Sequence, residues 1–197
     1  MESENSVPHR NIAASPDPQL RAALRDYARR WPAEALRVED FLALLADRAD
    51  PFARERIAGH FTASAWLVDR SGRNILLTHH RKLGMWLQLG GHADGDRDLA
   101  RTALREAEEE SGLSGLQVVE GIFDLDRHRI PEHKDVPAHW HYDVRYIVQA
   151  GDDEDFVVSD ESHALAWRDI ESLAVDETAD ASLRRMAAKW LDRPAGP

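Results

Sequence analysis

The 197-residue sequence contains no cysteine. That absence removes disulfides, zinc–thiolate sites and cysteine nucleophiles together. Bases are scarce beside acids: 25 Lys and Arg stand against 36 Asp and Glu, a formal net charge of −11. A binder of nucleic-acid polymers carries a basic patch, so that partner class is not expected. Nucleotides are still allowed, because a bound metal can reverse the local sign at a phosphate site. No apolar run approaches the roughly 18 residues of a membrane span, and the N-terminal MESENSVPHRN lacks the apolar stretch of a signal peptide. The expectation is a soluble cytoplasmic protein with no membrane partner. What is present is 43% apolar residues, enough for a core, in a length that suits one domain with a small appendage.

Residues 1–15 are polar and contain proline, and read as a disordered tail. Residues 16–57 form a helical extension. Leu20, Leu24, Tyr27 and Trp31 recur at helical spacing up to a break at Pro32, and Val38, Phe41, Leu42 and Leu45 make a second amphipathic helix ending near Asp50-Pro51. These helices read as a packed cap, and they also offer a dimer surface or a lid. Residues 58–192 form the main domain. Phe61 to Val68, Asn74 to Thr78, Leu116 to Phe123, His141 to Gln149 and Ala164 to Trp167 read as strands, with a closing helix over 181–191. Strands and helices in this order imply a mixed sheet with helices packed against it, an α/β class.

Chemistry concentrates in residues 90–113, GGHADGDRDLARTALREAEEESGL. Asp98 suits a helix N-cap, Leu99, Ala103 and Ala107 form an apolar stripe, and Gly112 suits the C-terminal position. Glu106, Glu109 and Glu110 then lie three and four positions apart and can converge on one patch, with Glu108 pointing elsewhere. Like charges at that spacing repel. A divalent cation among them is one explanation, and a solvated acidic helix face is the other. Hard oxygen ligands suit Mg²⁺, the Gly90-Gly91 backbone can come close because neither residue has a side chain, and Arg105 can brace a carboxylate through its planar fork.

The segment resembles the Nudix box: Gly, five residues, Glu, seven residues, then Arg-Glu-aliphatic-any-Glu-Glu-any-Gly-aliphatic. Gly91 matches the first glycine, and Arg105, Glu106, Ala107, Glu109, Glu110, Gly112 and Leu113 match the later positions. Arg97 stands where the pattern has its first glutamate. The resemblance implies a Nudix-type α/β/α sandwich with the box as loop–helix–loop. It also implies hydrolysis of a diphosphate linkage in a nucleoside diphosphate derivative or another small organic diphosphate, with Mg²⁺ or Mn²⁺. Carried over by position, Glu106, Glu109 and Glu110 are metal ligands, the Gly91 carbonyl adds another, and Arg105 is the brace. Glu106 is alternatively the base that deprotonates the attacking water. Arg97 leaves three readings open: a substitute from Asp94, Asp96 or Asp98, a dispensable glutamate, or a weakened site. The last would make the chain a nucleotide- or metabolite-binding module.

Outside the box, Glu161 resembles the acid that many Nudix proteins supply late in the fold, with Asp160 and Glu154 as rivals. His139, His141, Asp143 and Arg145 alternate along one strand and share a face, with Trp140, Tyr142, Val144 and Tyr146 on the other. That polar face reads as lining for a substrate pocket, as a transition-metal site, or as a hydrogen-bonded strand face. His92 is placed to join it. His128 and His133 are expected to be exposed in a proline-containing loop. In His79-His80-Arg81-Lys82, Arg81 and Lys82 could grip a phosphate or mark an exposed turn. Trp86 and Phe123 could stack on a base or sit in the core.

Overall fold

The structure, a computed structural model, describes residues 17–81, 84–133, 136–158 and 162–193. The tail expected over residues 1–15 lies outside them. Helix α1 (Pro18–Arg30) begins on a proline, whose missing N–H would be unpaired there anyway. It buries Leu20, Leu24 and Tyr27, a stripe of spacing four and three. A 3-10 turn at Pro32–Glu34 leads into α2 (Ala35–Leu45), which buries Val38, Phe41, Leu44 and Leu45.

The domain follows as β1 (His60–Val68), β2 (Asn74–His80), β3 (Met85–Leu87), β4 (Leu89–His92), α3 (Leu99–Ser111), β5 (Gln117–Ile130), β6 (His139–Gln149), β7 (Ser162–Asp169), α4 (Ile170–Val175) and α5 (Ala181–Leu191). Among the described residues, seven strands form one mixed sheet in the order β3-β2-β1-β6-β5, with β4 paired to β1 and β7 to β2. Among the described residues only β1 and β6 run parallel, in register from His60 opposite His141 to Val68 opposite Gln149. The two ends of β1 take different neighbours on the other side. Val68 meets Ile75 of β2, whereas Thr62 to Ala65 pair with β4. That split brings Gly90 and Gly91 alongside β1.

Helices cover both faces, as an α/β/α sandwich requires. On one face α4 and α5 bury Ile170, Leu173, Leu183, Met186 and Trp190 against Trp66, Val68, Ile75, Leu77 and Phe123. On the other, α3 presses Ala103 against Ala63 and Val144, and Ala107 against Ala65, Leu67 and Leu89. Alanines at these two positions let the helix backbone approach the sheet closely. The extension shares this second core, since Leu24, Tyr27, Phe41 and Leu45 pack with Phe61, Leu125 and Val144. It also covers the sheet edge at β5, where Arg30 donates to the Ile122 carbonyl at 2.9 Å and Arg37 to that of Leu125 at 3.0 Å. Unpaired edge carbonyls invite foreign strands, and here the chain's own arginines take them.

Several element limits differ from the sequence reading. Strand β5 runs on to Ile130, so His128 sits in a strand, half-buried beside His141, and only His133 is exposed in the loop. Gly90-Gly91 lie in β4 and not in a loop, because β1 supplies them with ladder partners. His79 and His80 extend β2, which leaves only Arg81 of that basic run in the described turn. Helix α4 was not foreseen: it has six residues, too short to show a period, and starts on the Asp169 cap.

Candidate functional site

Helix α3 is set by its ends. The Asp98 side chain accepts from the Arg101 N–H, and Gly112 closes the helix at φ 70°, a left-handed conformation that side-chain-bearing residues rarely adopt. Between them, the buried stripe turns Glu106, Glu109 and Glu110 away from the core beside β4. Glu110 Oε1 accepts from the Gly90 N–H at 2.9 Å. The Glu106 carboxylate lies against Gly91, where any Cβ would collide with it. At Gly90 a Cβ would stand 2.6 Å from the Ala63 carbonyl oxygen. Both glycines therefore answer to close approach: Gly90 to β1, Gly91 to the acidic helix. Arg105 Nη1 spans two of the acids, 2.9 Å from Glu106 and 3.3 Å from Glu109. Glu109 projects furthest into solvent, its side chain 60% exposed against 16% for Glu106. Glu108 is exposed and faces away from the sheet.

Each aspartate considered as a stand-in for the missing glutamate is engaged elsewhere. Asp94, held at a positive φ of 50°, forms a two-point ion pair with Arg54, whose hydrogen bonds keep the carboxyl below the usual range. Asp96 accepts from Arg101 and from the Asp98 N–H, and Asp98 is the N-cap. Arg97 itself points away from the carboxylates. Its guanidinium binds Asp17 at 2.6 Å, lies 3.6 Å from Asp50, and covers the Phe52 ring at 4.9 Å. The position that departs from the box pattern therefore fastens the extension to the loop entering α3.

The alternation of His139, His141, Asp143 and Arg145 is real, but three of the four are buried, and Asp143 and Arg145 are tied up in ion pairs. Asp143 is 2% exposed and accepts from Thr62, Ser64 and Arg145 at 2.7–3.0 Å. Arg145, equally buried, reaches Asp143, Asp124 and Asp126. A guanidinium enclosed by three carboxylates is not open to a phosphate, so the pocket-lining reading does not extend to Asp143 and Arg145. They belong to a buried ion network centred on Asp124, which also takes Arg185 at 2.7 Å and Lys189 at 2.8 Å. Lys189 continues to Glu34 at 2.8 Å and the Tyr27 hydroxyl at 2.7 Å, linking α5 to the extension.

His139 and His141 instead gather with His60 of β1 and His92 of β4, their ring centres 5.0–5.2 Å apart. Burial, reinforced by Arg54 and His60, pushes His92 down to about 4. Burial and the neighbouring imidazoles push His141 to about 2, and burial lowers His60 as well. These three rings are therefore neutral near pH 7 and cannot hold a phosphate by charge. His60 was not foreseen among these residues, because its place opposite His141 comes from the parallel pairing of β1 with β6.

Arg81 is exposed at the end of β2. Lys82, Asp160 and Glu161 lie outside the described residues. Glu154 accepts from the Arg70 N–H at 2.7 Å. Phe123 packs in the core beneath α5, against Trp66 at 5.7 Å, which removes it as a stacking platform, whereas Trp86 is half-buried at the margin of the same cluster.

A mixed sheet between helical layers, with an acidic helix held against a glycine pair on the adjoining strand, defines a protein built to gather carboxylates at one surface point. The NUDIX domain family matches residues 59–190, more than half of the chain, and the chain belongs to that family of hydrolases acting on acid anhydrides. No curated protein matches the sequence. Among solved structures the chain is similar to the MutT protein of Methanosarcina mazei Go1, with 19% identity, TM-score 0.54, and 68% of this chain and 94% of that one covered. It is similar to a C. elegans Ap4A hydrolase in a binary complex, with 18% identity, TM-score 0.51, and coverage of 66% and 94%. It is also similar to the E. coli dihydroneopterin triphosphate pyrophosphohydrolase, with 15% identity, TM-score 0.52, and coverage of 66% and 92%. At these identities the likeness is one of fold. Among the described residues no helix is long and apolar enough to cross a membrane.

Proposed function

We propose that the protein hydrolyses a diphosphate linkage in a small nucleoside diphosphate derivative or related organic diphosphate, by attack of water at phosphorus. The observation that carries this reading is the placement of Glu110 on the Gly90 N–H and of Glu106 against Gly91, with Arg105 spanning Glu106 and Glu109. This donor set fits a hard divalent cation, because it offers several carboxylates and a close backbone and no sulfur or imidazole. Glu106, Glu109 and Glu110 would hold Mg²⁺ or Mn²⁺, with the Gly91 carbonyl as a further ligand. Bound there, the ion would neutralise phosphoryl oxygens and acidify a water.

The protein's own groups have separate tasks. Arg105 keeps the Glu106 and Glu109 carboxylates oriented, which reduces the rearrangement needed when substrate arrives. Glu106 is the least exposed of that pair and is placed either to bind the cation or to take the proton from the attacking water. His92 and His141, half-buried on the adjoining sheet face, are proposed substrate contacts that add no charge, whereas His139 is buried with its Nδ1 on the Pro137 carbonyl. Arg81 and Lys82 are proposed contacts of the outgoing phosphate, and Glu161 a further acid. Arg97 plays a structural part, so its substitution leaves the three helix carboxylates intact, which favours turnover over a binding-only module.

The test is a panel of organic diphosphates and nucleoside triphosphates incubated with Mg²⁺ or Mn²⁺, with both products identified. Glu109→Gln and Glu110→Gln are expected to lose at least about tenfold in kcat, equivalent to about 1.4 kcal/mol of barrier. Unchanged turnover in either folded variant refutes the cation assignment. Tight ligand binding with no hydrolysis anywhere in the panel supports the binding module instead.

A further inference from the structure

Four imidazoles from three strands meet at one end of the sheet, with His92 directly after the Gly91 against which the acidic helix packs. His60 faces His141 across the parallel β1–β6 pair, His92 sits opposite Thr62 on β4, and His139 lies two residues before His141. One ring nitrogen from each of His60, His92 and His141 lies within 4.8 Å of the other two. A tetrahedral ion with bonds of about 2.1 Å needs nitrogens about 3.4 Å apart, a contraction within reach of side-chain rotation.

Hydrogen bonds behind the rings decide which nitrogens face inward. His60 Nδ1 stands 3.3 Å from the Arg56 carbonyl oxygen, and His139 Nδ1 stands 2.8 Å from that of Pro137. A carbonyl can only accept, so both Nδ1 atoms carry the proton and both Nε2 atoms present a lone pair. Backbone carbonyls fix the tautomer of metal-binding histidines in the same way. His60 Nε2 is buried, with no hydrogen-bond partner among the described residues, in a side chain that is 2% exposed overall. The Nε2 atoms of His139 and His141 are 3.2 Å apart. That contact is bridged by a proton on His141 Nε2 in the free protein, and an ion can take the proton's place. The nearby cations are already matched: Arg54 with Asp94, and Arg56 with Asp47 at 2.6 Å.

We propose that His60, His92 and His141, with His139 as the fourth imidazole, bind one transition-metal dication of the zinc type. All-nitrogen donors select Zn²⁺, Co²⁺, Ni²⁺ or Cu²⁺ over Mg²⁺, so this site and the carboxylate site take different ions. His92 and His141 are only half-buried, which gives the ion an approach from solvent. The site does not depend on the helix carboxylates that carry the hydrolase reading.

The experiment is a Co²⁺ titration of the full chain in excess Mg²⁺, followed by visible absorption and by histidine-selective ¹H–¹⁵N spectra with Zn²⁺. One equivalent of Co²⁺ is expected to give the ligand-field bands of a nitrogen-rich site, displaced by Zn²⁺ and retained in Glu109→Gln. His92→Gln changes a half-buried ring and is expected to weaken binding at least about tenfold. Zn²⁺ is expected to shift the Nε2 resonances of His60 and His141 in the unaltered protein, a readout that needs no variant to fold. Absence of a saturable Co²⁺ band together with unmoved His60 and His141 resonances overturns the proposal. So does binding that survives His92→Gln but disappears in Glu109→Gln.

Discussion

At the scale of single residues, the acidic run of α3 separates into distinct tasks. Glu110 is tied to the Gly90 N–H, Glu106 is pressed against Gly91, Glu109 reaches furthest into solvent, and Glu108 faces away. Gly91 is the sharpest place to test this arrangement. Its backbone φ is not in the left-handed region, so an added methyl strains nothing but the Glu106 carboxylate. Gly91→Ala is expected to keep the fold, as judged by circular dichroism and melting, and to lower kcat by about tenfold or more. Normal kcat would mean that the position of Glu106 against β4 is immaterial. The glycine spacing and the helix carboxylates were legible in the sequence because both are local. The partner of Arg97 was not. An arginine in that position reads as damage to the site until Asp17 and Phe52 are seen against it.

At the scale of elements, α3 and α5 were readable because each carries its own period and its own caps. The sheet was readable in part. Strand β4 has four residues, two of them glycine, and becomes a strand only through its pairing with Thr62 to Ala65. The alternation on β6 was visible, but a period of two cannot tell a polar face lining a pocket from one buried against charges on other strands. Asp143 meets Thr62, 81 residues earlier in the chain, and no local pattern encodes that pairing. The same long-range register gathers His60 with His141, so the histidine cluster was only half legible. Lys189, on α5, shows the energetic side of such contacts. Its ammonium joins Asp124 to Glu34, and Lys189→Met would leave the buried Asp124 and the half-buried Glu34 with one partner fewer. Urea denaturation is expected to show a loss of about 3–5 kcal/mol. A loss below about 1 kcal/mol would mean that water or Arg185 takes over the role of the lysine.

For the whole molecule, the extension is built into the domain by a shared core, by arginines on the β5 edge and by the Asp124 network. This predicts a specific acid lability. Burial raises the Asp124 carboxyl, but the Arg185 hydrogen bond and the charges of Arg145, Arg185 and Lys189 outweigh it and hold the group below its ordinary value. Asp126 is lowered by the same pattern, burial opposed by His128, Arg145 and Arg185. Groups depressed in the folded state stabilise it above their unfolded pKa, about 3.9 for aspartate, and lose that contribution as pH falls below it. Stability to urea is therefore expected to drop as pH falls below about 4, and Asp124→Asn should flatten that part of the profile. An unchanged slope in a folded Asp124→Asn protein would remove the network from the account.

The central claim is that the carboxylates of α3 hold the cation that turns over a diphosphate. Its most direct measurement is steady-state hydrolysis of the best substrate from the panel as Mg²⁺ is titrated, comparing the unaltered protein with Glu109→Gln and Glu110→Gln. Expected are a saturable dependence on Mg²⁺, a higher Mg²⁺ requirement in both variants, and a kcat at least about tenfold lower at saturation. Hydrolysis that is indifferent to Mg²⁺, or variants whose Mg²⁺ dependence and kcat match the unaltered protein, would contradict it.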